Sequence, residues 1–238
     1  MGATTTLHDL RARAVALTLT AQCLGPEPSV LLDADYRGAL RTALDEAGLD
    51  RALGELAAWE SPELPDATEL AGRWVRWFDL GRVAPYEGSN VVATAGGITP
   101  RLADVSGFYR SFGMAVTGDR PDHVVAELEF LALALLNEAE ALEAGDDDRA
   151  AVVSGAVRSF VRDHIGTWLD AWAARVAEIP ELAPWQPVAA VAARLVAEEA
   201  ARRNVIPARS NAVLPANAGI AGEDEPELLC GDDDSIGI

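Results

Sequence analysis

Val124, Leu128, Leu131, Leu135 and Leu142 recur at steps of three, four and seven, so one stretch carries an apolar stripe with the period of an α-helix. Glu127, Glu138 and Glu143 are expected to project away from that stripe. A helix start precedes it. Asp119 or Arg120 suits the N-cap, Pro121 fits a first turn where its missing N–H would be orphaned anyway, and Asp122 sets a carboxylate at the positive end of the helix dipole. Upstream, Phe108 to Met114 reads as an aromatic helix end closed by Gly113.

Similar segments fill most of the chain. Leu7 to Leu24 opens helical and is stopped by Gly25-Pro26; a second helix runs from about Asp35 to Ala47 before Gly48; Leu53 to Trp59 is ended by Ser61-Pro62. Asp66 is the N-cap of a helix whose stripe is Leu70, Trp74, Trp77 and Phe78. From Gly81 to Pro100 the periodicity fails, and a long loop is expected there. Leu102 to Met114 resumes the helix. After an acidic turn at Gly145 to Asp148 comes one long amphipathic element with Val153, Val157, Phe160, His164, Trp168 and Val176 near one face, broken by Pro180, Pro184 and Pro187. Val188 to Arg203 forms the last helix. Residues 205–238 lack a sustained period and read as an extended or disordered acidic tail. No fixed repeat is visible, and Asn90 to Ala95 is the only brief β-branched run. The expectation is an all-α helical bundle, with residues 1–204 as one domain made of subdomains 1–84 and 101–204, and residues 85–100 as the loop crossing between them.

Composition excludes several classes. At 238 residues, half of them hydrophobic, the chain can bury roughly 70 to 75% of its unfolded surface without a metal or disulfide. Cys23 and Cys230 form neither a zinc spacing nor a disulfide framework, and a reducing compartment is the natural reading. No run approaches the ~20 apolar residues that span a bilayer, and the N-terminal segment lacks a signal-peptide pattern, so a cytoplasmic protein without a membrane partner is expected. The net charge is −19, and all nineteen basic residues are arginine. Nucleic acid would be repelled by such a surface. Two explanations of the acidity stay open, attraction of an arginine-bearing peptide and adaptation to a salty cytoplasm with a coding bias toward Arg and Ala.

Catalytic patterns are absent. His8, His123 and His164 are far apart and lack a metal-binding spacing, Gly96-Gly97 lacks the Lys-Ser/Thr of a phosphate loop, and Ser89, Ser154 and Ser159 sit in no nucleophile elbow. Neither enzyme activity, nor a metal, nor a cofactor is expected.

Tyr109, Arg110, Phe112 and Gly113, then Pro121, Asp122 and His123, then Glu127 to Leu131, follow one another in an order that closely resembles the maturation chaperones of molybdenum oxidoreductases, the TorD, DmsD and NarJ group. Their hallmark is a Tyr-Arg-x-Phe-Gly segment, a Pro-Asp-His turn and a Glu-Leu-Glu-Phe-Leu helix. The Trp-rich helix ending at Phe78, the Pro85 to Ser89 loop, and the helix bearing His164 and Trp168 agree with it. The resemblance covers most of residues 7–204 and is nearest to the chaperones of type II dimethyl-sulfoxide-reductase-like enzymes. One departure stands out: the family loop carries an aromatic followed by Gly-Ser, whereas Glu87 intervenes here between Tyr86 and Gly88.

The resemblance implies a TorD-like bundle and a client-specific chaperone. Its partner would be the N-terminal leader, or the apo form, of a molybdopterin-containing catalytic subunit, with twin-arginine proofreading if that client is exported. The client-peptide-binding residues would be Trp77, Phe78, Tyr86, Asp122, His123 and Glu127, with Asp122 pairing a client arginine and His123 at the rim. Each has a plainer reading: Asp122 as a helix-dipole complement, Trp74, Trp77 and Phe78 as core, Tyr109 and Arg110 as a lock between helices, His164 and Trp168 as a core pair at i and i+4. Two alternatives remain, a helical assembly subunit that stays in the mature complex and a small-molecule helical enzyme. Monomer and dimer are both open.

Overall fold

The computed structural model describes residues 3–59, 64–92, 97–116 and 120–208. Helices α1 (Ala3–Cys23), α2 (Ala34–Glu46) and α3 (Asp50–Glu55) are followed by α4 (Ala67–Trp74) and a short α5 (Glu87–Asn90). Then come α6 (Thr99–Ser111), α7 (Val124–Glu143), α8 (Asp147–Asp163), α9 (Leu169–Ala177) and α10 (Gln186–Arg202). Among the described residues no β-strand forms, and an isolated antiparallel bridge pairs Tyr86 with His123. The all-α bundle is therefore as expected. Ser61, Pro62, Asp119, residues 93–96 and residues 209–238, including Cys230, lie outside the described residues.

Helix α7 is the axis of the packing, with α1 and α8 against it; α2 lies on α1, and α10 packs on α1, α3 and α9. Its leucines alone would bury one face. Ala126, Ala132, Ala134, Ala139 and Ala141 are buried as well, because side chains that small let neighbouring backbones come close around most of the helix. Glu127 is consequently buried too, contrary to the expectation that it points away from the core.

Two of the expected helix boundaries hold, and two require correction. Asp66 caps α4 by accepting from the Glu69 N–H at 2.9 Å, and Asp146 caps α8 by accepting from Arg149 at 3.0 Å. The N-cap of α7, however, is His123, whose Nδ1 accepts from the Val125 N–H at 3.2 Å. Arg120, Pro121 and Asp122 precede the helix, since the Asp122 carboxylate is held by other donors described below. The long element expected after the Gly145 to Asp148 turn is also divided. At His164 the backbone turns (φ −119°, ψ −107°), a 3₁₀ turn spans Ile165–Thr167, and α9 restarts at Leu169. Gly166 permits the break: a Cβ there would stand 2.2 Å from the Val161 carbonyl oxygen and 2.9 Å from Pro207 Cγ. His164 and Trp168 therefore do not share one helical face.

Helix α4 runs into a π-helical turn, Val75–Asp79, closed by the Leu80 N–H donating to Val75 O at 2.9 Å. The wider turn splits the aromatic stripe read from the sequence. Trp74 and Phe78 face inward, where Phe78 lies 5.9 Å from Trp172 and 5.7 Å from Trp185 between ring centroids. Trp77 is left half-buried, with the Arg82 guanidinium 5.5 Å from its ring.

Candidate functional site

The loop after the π turn is tied to the start of α7 by its own backbone. Val124 N–H donates to Pro85 O and Glu87 N–H donates to Asp122 O, both at 2.8 Å, which makes the bridge between Tyr86 and His123. Their rings meet edge to face with centroids 5.0 Å apart. Further ties come from Asn90, whose amide donates to Ala84 O and Tyr86 O and whose Oδ1 accepts from Arg175, and from the Trp172 indole, which donates to Val83 O at 3.1 Å. Tyr109, from the Tyr-Arg-x-Phe-Gly segment, donates its hydroxyl to Pro121 O at 2.7 Å, fixing the Pro-Asp-His turn from the other side. Its expected role as a lock between helices is met, while Arg110 beside it is exposed.

Asp122 is fully buried, and its carboxylate is satisfied before any helix N–H can reach it. Oδ2 accepts from the Gly88 N–H at 2.9 Å; Arg120 donates from Nε to Oδ1 at 2.9 Å and from Nη2 to Oδ2 at 2.6 Å. The same guanidinium sits 4.6 Å from the Tyr86 ring centroid. A carboxylate fork and an aromatic face together make a cradle for a planar cation, and Arg120, whose side chain is 42% exposed, occupies it. Gly88 suits this close approach: a Cβ would fall 1.5 Å from Ile98 Cδ1 and 3.0 Å from Asp122 Oδ2, so Ile98 would have to move to admit one.

Beneath the cradle lies a second set of charges that sequence reading did not assemble. Glu87, an interruption in the loop motif, is fully buried, with Oε1 2.6 Å from Arg101 Nη2 and Oε2 3.2 Å from His164 Nδ1. His164 Nε2 lies 3.3 Å from Asp104. Arg101 also donates to Asp163 O at 2.7 Å, which binds α6 to the end of α8. Glu127, one turn into α7, accepts at Oε2 from the Trp168 indole at 3.2 Å, and its Oε1 has no hydrogen-bond partner among the described residues. Burial pushes the Glu127 carboxyl well above its ordinary range; the Glu87 charge adds to the shift, and the Trp168 hydrogen bond opposes it. Burial, and then the charges of Glu127, Glu87 and Asp122, also drive the Tyr109 phenol upward, so it stays a donor.

The residues expected to bind a client thus separate into groups. Tyr86, Asp122 and His123 come together as one unit. Trp77 is tied to the start of the same loop, its carbonyl accepting from the Val83 N–H at 2.8 Å, and its ring meets the Arg82 guanidinium. Phe78 belongs to the core aromatic cluster, and Glu127 faces Trp168 in the interior. Arg120, Glu87, Gly88, Arg101 and Asn90 are the members that sequence reading missed. A signal was present for one of them: an acidic residue inside an otherwise apolar and Gly-containing loop must be either solvated or paired.

A family model described as nitrate reductase delta subunit matches residues 38–174, a span that contains the cradle and the charge cluster below it. The chain belongs to the nitrate reductase delta subunit family. This is the NarJ- and TorD-type group of maturation chaperones that the two motifs resemble. A similar relative is the chlorate reductase assembly chaperone protein of Ideonella dechloratans, 34% identical over 107 residues, or 42% of this chain and 53% of that protein. The chain spans about half the length of that relative. No solved structure matches significantly. Members of this delta subunit family assist assembly rather than catalyse. Among the described residues no group of three or more His, Cys, Asp or Glu is placed to hold an ion. Nor is any described helix long and apolar enough to cross a membrane. Cys23 is buried as a free thiol whose pKa burial pushes up to about 12, which makes it inert.

Proposed function

We propose that this protein is an assembly chaperone for the molybdopterin-containing catalytic subunit of an oxidoreductase, acting in the cytoplasm and binding that subunit's N-terminal leader beside the Pro-Asp-His turn. The observation that carries the reading is the cradle of Tyr86 and Asp122, which holds a guanidinium by stacking and by a two-point ion pair. An arginine-bearing leader presents the same group. Half-buried Trp77 and exposed Leu80, 70% accessible, offer apolar contact nearby in the chain for the hydrophobic part of the leader. Family membership and the assembly role of the chlorate reductase relative support the same function.

Arg120 makes the site self-occupied, so a client arginine must displace it. Such competition keeps affinity moderate: a micromolar dissociation constant corresponds to about −8 kcal/mol, compatible with release once the client folds. Twin-arginine proofreading follows if the client is exported, because a leader held here is withheld from the export machinery. The test is calorimetric titration of the chain with the synthetic leader of the molybdoenzyme subunit encoded beside it, at low and high salt. Saturable binding retained in salt is expected; no binding under either condition overturns the reading.

A second reading rests on the family's description as a subunit. A permanently bound assembly subunit would co-purify with the active enzyme in fixed ratio, whereas a chaperone is absent from the finished complex.

A further inference from the structure

A second charged feature lies on different elements, where α1, α8 and α10 meet. A surface cleft of about 470 Å³ is lined by Arg13, Ser154, Arg158, Arg202, Arg203 and Asn204, with Leu10 and one carboxylate, Glu138 of α7, completing the wall. Four arginines converging on one cleft stand out in a chain of net charge −19 with nineteen basic residues in all.

Ion pairs within the protein account for only part of this charge. Arg13 pairs with Glu199 and with Asp9 at 3.1 Å; Arg203 pairs with Glu138 at 2.7 Å and Glu199 at 3.3 Å; Arg202 reaches Asp9 at 3.3 Å. Three carboxylates therefore face four guanidiniums. Arg158 has no ion-pair partner among the described residues. Arg13 is more than nine-tenths buried, yet its Nε has no hydrogen-bond partner among the described residues. A buried donor left unsatisfied is costly unless a further acceptor arrives. Ser154 adds a hydroxyl to the wall, its oxygen accepting from Arg203 Nη1 at 2.6 Å and its O–H being a donor by chemistry. Asn204 completes the rim at the turn that closes α10, in the left-handed region at φ 52°.

We propose that this cleft binds a polyvalent oxyanion, the phosphoryl or carboxylate end of a small molecule. Guanidinium forks match both groups in two-point geometry. The cleft is far larger than the ~30 Å³ share of one water molecule and falls within the roughly 300 to 1,000 Å³ of small-molecule sites. Glu138 in the wall is held by Arg203 at 2.7 Å, and the carboxylates remote from the cleft are largely screened beyond about 8 Å at physiological ionic strength.

The test is calorimetric titration of the full chain with pyrophosphate and, separately, with citrate, at matched ionic strength against a sodium chloride control. Saturable binding is expected with at least one probe. Tighter pyrophosphate binding assigns a phosphoryl ligand, and tighter citrate binding a carboxylate one. Arg158→Gln and Arg202→Gln, both at exposed positions, should each weaken binding about tenfold or more, as loss of one charge-assisted pair implies, with unchanged helical circular dichroism. Asp122→Asn should leave anion binding intact, which separates this site from the client cradle. Absence of saturable binding by both probes, or wild-type affinity in both arginine variants, overturns the proposal.

Discussion

Glu87 and His164, 77 residues apart, meet in the bundle interior with Oε2 and Nδ1 3.2 Å apart, and Arg101 closes on the other carboxylate oxygen at 2.6 Å. The contact joins the loop before α6 to the break between α8 and α9. Each of those segments brings a polar group that must be satisfied away from water, and the contact satisfies both.

Replacing Glu87 by Ala strands Arg101 and His164. Removal of one partner from a buried pair costs about 3 to 5 kcal/mol, and partial exposure of Arg101 places the expected loss at the lower end, about 3 kcal/mol. Urea unfolding followed by circular dichroism measures it. A loss below about 1 kcal/mol would mean that the cluster does not hold the loop.

Gly88→Ala drives a methyl group toward Ile98 Cδ1 and Asp122 Oδ2. Overpacking of this kind costs about 1 to 3 kcal/mol. Since the tightest contact is the tip of a side chain, the double variant Gly88→Ala with Ile98→Ala should lose less stability than the sum of the two single changes. Strict additivity, read from thermal melts of the three variants, would contradict this origin of the glycine requirement.

Glu127 gives a pH signature. Its folded pKa is raised above the ordinary 4.5, so between 4.5 and the folded value the native state holds a proton that the unfolded state has released. Stability therefore falls as pH rises through that window, by about 1.4 kcal/mol per pH unit for one group. Glu127→Gln mimics the protonated acid and should remove this slope, making the variant more stable than the wild type toward neutral pH. Parallel stability profiles for the two proteins from pH 4.5 upward would show that the carboxyl is ionised in the native state.

Arg120→Ala empties the cradle between Tyr86 and Asp122. The expected result is tighter binding of an arginine-bearing leader, by up to about fivefold if one partly exposed ion pair of about 1 kcal/mol no longer competes. If Arg120 were only structural, affinity would stay level or drop.

The opposite result is expected for Asp122→Asn combined with Trp77→Ala. Leader affinity should fall while the helical circular-dichroism signal stays near wild type. An unchanged affinity in calorimetry would move the client site to another surface.

How far the site was legible varies residue by residue. Asp66 could be placed as a cap from its neighbours alone, because capping is decided within one turn by a side chain and the N–H groups it faces. Asp122 read as a carboxylate complementing the helix dipole, yet it is taken by Gly88, 34 residues upstream in α5, and by Arg120. The helix start therefore shifted to His123. Glu127 looked solvated because the leucine stripe lies on another face, yet the alanines on its own side let α7 be enclosed. In the same way the apolar period continued past His164 without a visible break, whereas in the fold the helix stops there, with His164 paired to Glu87 and Gly166 set close against the Val161 carbonyl.

The amino-acid order by itself determined the helical class, most helix extents, the lack of catalytic motifs and the two segments that mark the family, since all of these depend on spacing over a few turns. Tertiary structure decided which charges are buried and what holds them. Glu87, Asp122 and Glu127 each meet partners from remote parts of the chain, and local propensity carries no term for the desolvation that makes those partners necessary.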